Sequence, residues 1–105
     1  MRKNKIKTID IRAKEWFDRI NGNSYFSAIV TVNYQLPSEQ SIKILFQYGY
    51  DDHYIQSACE HLIKKGLINT DEYIPLWRYC QENNIILRKS IQRGCKKRDI
   101  INFVN

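Results

Sequence analysis

His53, Cys59, His61 and Cys80 are the residues of this chain whose types suit metal or nucleophilic chemistry. A metal centre needs ligands that converge at fixed spacing. No C-x-x-C or H-x-x-x-H pair occurs, and on a helix the Cys-x-His spacing of Cys59 and His61 points the two side chains about 200° apart. A cysteine nucleophile needs a base and an orienting group beside it. His53 or His61 supplies parts of that set, but no catalytic signature surrounds Cys59. A small core thiol beside surface histidines is the plainer reading. Asp51-Asp52-His53 puts ligand types in a row, yet suits a loop and a helix cap better. Four scattered glycines make no phosphate loop. The expectation is no catalytic residue, no metal and no cofactor, hence a binding protein.

Charge says what it would bind. The formal net charge of the 105 residues is +6, and it is uneven. Residues 1–19 hold seven Lys/Arg against three acids, residues 88–105 hold six against Asp99 alone, and residues 20–87 hold four against seven. A concentrated basic surface attracts phosphate backbones or acidic protein faces. The plainer alternative is a solvated face, and it weighs more for the N-terminal run, because termini are commonly loose. The C-terminal run is interleaved with apolar residues, which predicts that the fold holds it. Candidate contacts are therefore Arg88, Lys89, Arg93, Lys96, Lys97 and Arg98, with Lys5 and Lys7 assisting. Reversing the charge of Arg93, Lys96 and Lys97 is expected to weaken partner binding without unfolding the domain. Tyrosines stack on bases where cations hold phosphates. Tyr25 and Tyr50, placed at turns, are candidates for such contacts, whereas Tyr34, Tyr48 and Tyr54 read as core.

The elements that must position these residues follow from hydrophobic period. Residues 5–12 alternate and are β-branched, which predicts a strand, at a sheet edge given its lysines. Residues 13–20 predict a short helix with Trp16, Phe17 and Ile20 on one face. Asn21-Gly22-Asn23-Ser24 is a turn. Residues 25–35 predict a strand with Phe26, Ala28, Val30, Val32 and Tyr34 facing the core. After Leu36-Pro37-Ser38-Glu39, residues 40–48 predict its hairpin partner, with Ile42, Ile44, Phe46 and Tyr48 on one side. Asp52 is placed to cap a helix over 53–65 carrying Tyr54, Ile55, Ala58, Cys59, Leu62 and Ile63, and Gly66 ends it. Asn69-Thr70-Asp71 signals a second cap, and Pro75 suits the first turn of a helix reaching about Asn83. Residues 85–91 predict a last strand. Lys96–Phe103 predict a terminal helix or a loose surface segment.

Strands, then helices, then a strand predict an α+β fold. The expected architecture is one domain over 1–105, with a small antiparallel sheet of about three or four strands and two or three helices on one face. No apolar run is long enough to span a membrane, and no apolar segment of signal-peptide length follows Met1-Arg2-Lys3-Asn4-Lys5. Three unpaired cysteines suit a reducing compartment, so the expected location is the cytoplasm.

Two blocks carry a family resemblance. Lys14-Glu15-Trp16-Phe17-Asp18-Arg19-Ile20-Asn21-Gly22-Asn23-Ser24-Tyr25-Phe26-Ser27-Ala28 and Phe46-Gln47-Tyr48-Gly49-Tyr50-Asp51-Asp52-His53-Tyr54-Ile55 resemble a family of small phage and prophage proteins. The resemblance implies a host-takeover or counter-defence setting and carries no catalytic residue. In size and character the chain is similar to anti-CRISPR inhibitors, including those of a type VI, RNA-targeting effector. The partners so implied are an RNA-guided nuclease or its guide RNA. The alternative is a general phage protein that binds single-stranded RNA or DNA.

Overall fold

The computed structural model describes residues 6–70 and 74–105. Lys5 and the Asp71 of the second cap signal lie outside the described residues. The chain orders as β1 (Thr8–Asp18), β2 (Asn23–Val32), β3 (Gln40–Tyr48), α1 (His53–Lys64), α2 (Leu76–Glu82), β4 (Ile86–Gln92) and α3 (Lys97–Phe103). One four-stranded sheet holds the strands in the order β3-β2-β1-β4. The α+β class holds. The sheet is mixed rather than wholly antiparallel: β1, β2 and β3 form a meander, and β4 returns to pair in parallel with β1.

The helix predicted over 13–20 does not form. Those residues continue β1, paired one for one with β2 from Ile9 against Val32 to Asp18 against Asn23. Helical spacing of Trp16, Phe17 and Ile20 is outweighed by cross-strand pairing, since Trp16 lies opposite Tyr25 and Glu15 opposite Phe26. Ile20 falls in the turn and is 94% exposed. β1 is also interior rather than an edge; the edges are β3 and β4.

Asp18 closes the β1–β2 turn. Its carboxylate accepts the Asn21 side-chain N–H at 2.8 Å and the backbone N–H groups of Ile20 and Asn21 at 3.0 and 3.3 Å. The Asn21 amide, foremost, holds the Asp18 carboxyl below its ordinary value. A depressed carboxyl stabilises fully above its ordinary value, and that contribution is lost as pH falls through the lower folded value. The amide signals of Ile20 and Asn21 are therefore expected to move together on acidification below the ordinary aspartate range. Asp18→Asn is expected to remove that titration in an NMR pH series.

The inner sheet face carries Ile9, Ile11, Ala13, Phe26, Ala28, Val30, Val32, Ile42 and Ile44, all buried, under Tyr54, Ala58, Cys59 and Leu62 of α1 and Leu76 and Cys80 of α2. Tyr34 is exposed and not core. The strand ends at Val32, and Asn33 takes a positive φ of 56° while its side-chain oxygen accepts the Lys7 N–H at 2.6 Å. β3 departs from its expected alternation as well. Ala28 pairs with Ile44 and Phe26 with Gln47, so two β3 residues face Ser27 in a bulge. The extra residue inverts the pattern, and Phe46 and Tyr48 leave the core face for the outer one.

Asp52 occupies the cap position of α1 without a side-chain cap bond. Gly66, at φ +74°, ends the helix as expected. α2 begins after Pro75, which itself stands at the cap position. Among the described residues no helix is long and apolar enough to cross a membrane.

Candidate nucleic-acid interface

Period-two alternation sends Asp10, Arg12, Lys14 and Trp16 of β1 to the outer face. Register sets their neighbours. Asp10 lies beside Thr31 and Arg88, Arg12 beside Ile29 and Ser90, Lys14 beside Ser27 and Gln92, and Trp16 beside Tyr25. Lys43 lies opposite Ile29 and Tyr48 opposite Tyr25, which extends these rows onto β3.

The terminal helix α3 covers one part of this face. Ile100 is fully buried, and its carbonyl accepts the Ser27 hydroxyl. The helix is thus ordered and sits across the sheet from α1 and α2. Gly94, at φ +76°, turns the chain after β4, and Cys95 N–H donates to the Glu15 carbonyl at 3.0 Å. The segment Arg93–Lys96 therefore wraps the end of the sheet and carries the basic run from the inner face to the outer one. Asp99 fixes the start of α3 by accepting the Lys96 backbone N–H at 3.0 Å.

The cations divide into two groups. Arg88 makes a bidentate pair with Asp10 at 2.6 and 3.1 Å, and those hydrogen bonds raise its already high pKa. Arg93 pairs with Glu15 at 2.8 Å. These two candidates are committed inside the protein. Lys89, Lys96 and Arg98 are exposed and make no ion pair among the described residues. Lys97 lies 5.8 Å from the ring centroids of both Trp16 and Phe46. Lys7 is exposed, and its backbone N–H is held by Asn33.

Arg12, Lys14 and Lys43 were not among the sequence candidates, and all three stand on the outer face without an ion pair among the described residues. Lys14 lies 4.9 Å and Arg12 5.8 Å from the Phe103 ring centroid of α3. Beside that helix the face opens into a groove of about 480 Å³ lined by Asp10, Arg12, Thr31, Tyr34, Arg88 and Ser90. The signal for Arg12 and Lys14 was present in the alternation Asp10-Arg12-Lys14-Trp16. Reading a helix from residue 13 broke that alternation after Arg12 and hid Lys14.

Aromatic side chains form a ladder at the other end. Trp16 stacks on Tyr25 at 5.5 Å, Tyr25 on Phe46 at 5.1 Å, and Tyr48 meets Tyr25 and then Tyr50 edge-on at 5.9 and 6.2 Å. Tyr25 is thus engaged by its neighbours and half-buried, while Tyr50 is exposed, as is Tyr48, which sequence reasoning had assigned to the core. Tyr54 is buried.

His53, Cys59 and His61 lie on α1, and Cys80 of α2 packs in the same core as Cys59. Burial pushes the Cys80 thiol up to about 11 and the Cys59 thiol in the same direction, away from the thiolate that a nucleophile requires. His61 Nδ1 lies 2.8 Å from the Ser57 carbonyl, and His53 packs edge-on against Phe26. Among the described residues no three His, Cys, Asp or Glu side chains converge as metal ligands.

No known protein family, curated protein or solved structure matches this chain.

Proposed function

We propose that the protein is a non-catalytic RNA-binding factor of the counter-defence kind. It engages the phosphate backbone of a guide or target RNA held by an RNA-guided nuclease, in the cytoplasm of the host. The observation that supports this most is the set of cations Arg12, Lys14 and Lys43 on the outer face, which form no ion pair among the described residues. Lys96, Lys97 and Arg98 continue the same sign of charge along the wrapping segment and α3. Thr31 and Ser90 line the groove with hydroxyls that suit phosphate oxygens. The resemblance of the blocks at 14–28 and 46–55 to phage proteins supplies the counter-defence setting.

Exposed Tyr48 and Tyr50 favour a second reading, a general binder of single-stranded RNA or DNA, because exposed rings stack on bases without regard to sequence. Binding of the purified protein to naked guide RNA and to the assembled nuclease–guide complex, each across a salt series, separates the two. The first reading expects the complex to bind at least about tenfold more tightly than naked RNA, with target cleavage suppressed. The second expects equal affinities and a steep salt slope on both. Binding to neither overturns both.

A further inference from the structure

A hollow of about 470 Å³ lies at the hairpin end of the sheet, lined by Glu15, Phe17, Asn23, Tyr48, Tyr50 and Arg93 among others. Its volume falls within the range of about 300–1,000 Å³ usual for small-molecule sites. Three of its side chains are aromatic and strongly exposed: Phe17 is 50%, Tyr48 55% and Tyr50 58% accessible. Such rings bury apolar area when a flat ligand stacks on them.

The polar lining is more specific. The Glu15 side chain is only 10% accessible, and its Oε2 accepts one N–H from Arg93 at 2.8 Å. Its Oε1 has no hydrogen-bond partner among the described residues. Every fully enclosed side-chain polar atom among them does have a partner, so Oε1 must reach the surface, and the hollow is where Glu15 is exposed to it. A carboxylate offers about four lone-pair positions, of which one is used here. Arg93 donates only one of its guanidinium hydrogens to a side chain. The pair therefore presents a donor beside two acceptors.

That is the complement of one nucleobase edge. Guanine shows an acceptor, O6, next to two adjacent donors, N1–H and the N2 amino group. Adenine and cytosine place an amino donor where O6 would be and a bare ring nitrogen, an acceptor, where N1–H would be, and uracil flanks its single N–H with two carbonyls. Bases splayed from single-stranded RNA are commonly read on this edge while stacked on aromatic side chains. Asp51 also lines the hollow, so an organic cation is the competing ligand that the test must exclude.

We infer that this hollow is a guanine-binding site, in which Glu15 accepts from N1–H and N2–H, Arg93 donates to O6, and Tyr50 and Phe17 flank the ring. The inference rests on the RNA-binding reading and names the base that such an RNA would present at this end. The basic segment Arg93–Arg98 leads away from the hollow and would carry the adjoining phosphates towards the outer face.

The test is titration of the full chain with 5′-GMP, 5′-IMP and 5′-AMP by calorimetry, with poly(U) as a guanine-free probe of backbone binding. IMP lacks the N2 amino group, so GMP is expected to bind about tenfold or more tightly than IMP, and AMP more weakly than either. Glu15→Gln should abolish the GMP preference. Tyr50→Ala removes an exposed ring, which leaves folding intact, and should weaken GMP about tenfold. Equal binding of GMP and AMP, retained preference in Glu15→Gln, or tetramethylammonium binding in place of GMP overturns the site. Absent GMP binding alongside intact poly(U) binding overturns this inference alone. Absent poly(U) binding alongside selective GMP binding overturns the RNA reading and leaves the site standing.

Discussion

Gly49→Ala is expected to lower the melting temperature of this protein more than any surface substitution. A Cβ at this position would lie 2.6 Å from His53 Cδ2 and 2.7 Å from Phe26 Cε1. Both distances are inside van der Waals contact, and Phe26 is itself fully buried between the sheet and α1. Gly49 cannot retreat, because its N–H donates to the Ser24 carbonyl at 3.0 Å and so ties the end of β3 to the start of β2. Overpacking of this kind costs about 1–3 kcal/mol. In a domain of this size each kcal/mol is worth about 4–8 °C, so a loss of roughly 4–24 °C is expected by calorimetry. His53 is exposed, whereas Phe26 is locked in the core. Trimming His53 to Ala in the Gly49→Ala background should therefore recover part of the loss but not all of it. A purely additive double mutant would show that the two sites do not meet.

The double reversal Arg12→Glu with Lys43→Glu is expected to weaken RNA binding by at least about tenfold at physiological salt. Each reversal removes two units of charge, so the formal net charge falls from +6 to +2. Both residues are exposed on one row of the outer face and neither forms an ion pair among the described residues, so the fold should tolerate the change. Stability at such sites usually moves by no more than about 0.5 kcal/mol. Loss of two phosphate contacts should flatten the dependence of log affinity on log salt by about 1.4 for single strands. Unchanged affinity and slope, with an unchanged melting curve, would show that RNA does not cross this face.

Arg93 is the wrong place for that experiment, although its charge made it attractive in sequence. Its guanidinium neutralises a nearly buried carboxylate, so Arg93→Glu would set two like charges side by side and confuse stability with binding. The same holds more mildly for Arg88 and Asp10, whose pair is more exposed. A basic run read along the chain counts charges, but it cannot show which of them meet an acid. Asp10 and Arg88 are 78 positions apart, as are Glu15 and Arg93, and both pairs exist only because β4 lies parallel to β1.

Local patterning was sufficient wherever neighbours in sequence decide the outcome. The β2 core set from Phe26 to Val32, the amphipathic α1 stripe with its Gly66 stop, the short α2 after Pro75 and the last strand β4 were all legible from period and punctuation. So were the α+β class and the polarised charge. The failures share one cause. Residues 13–18 carry helical spacing yet pair as strand because β2 stands opposite them. One inserted residue in β3 moves Phe46 and Tyr48 across the sheet because a bulge inverts a period of two. The sequence by itself determined that this chain folds on alternating strands and carries cations without a compact catalytic signature. Only the tertiary structure decided which cations remain unpaired, where the aromatic ladder opens and that Glu15 and Arg93 share a hollow. Those outcomes depend on contacts between residues far apart in the chain, and hydrophobic periodicity does not record them.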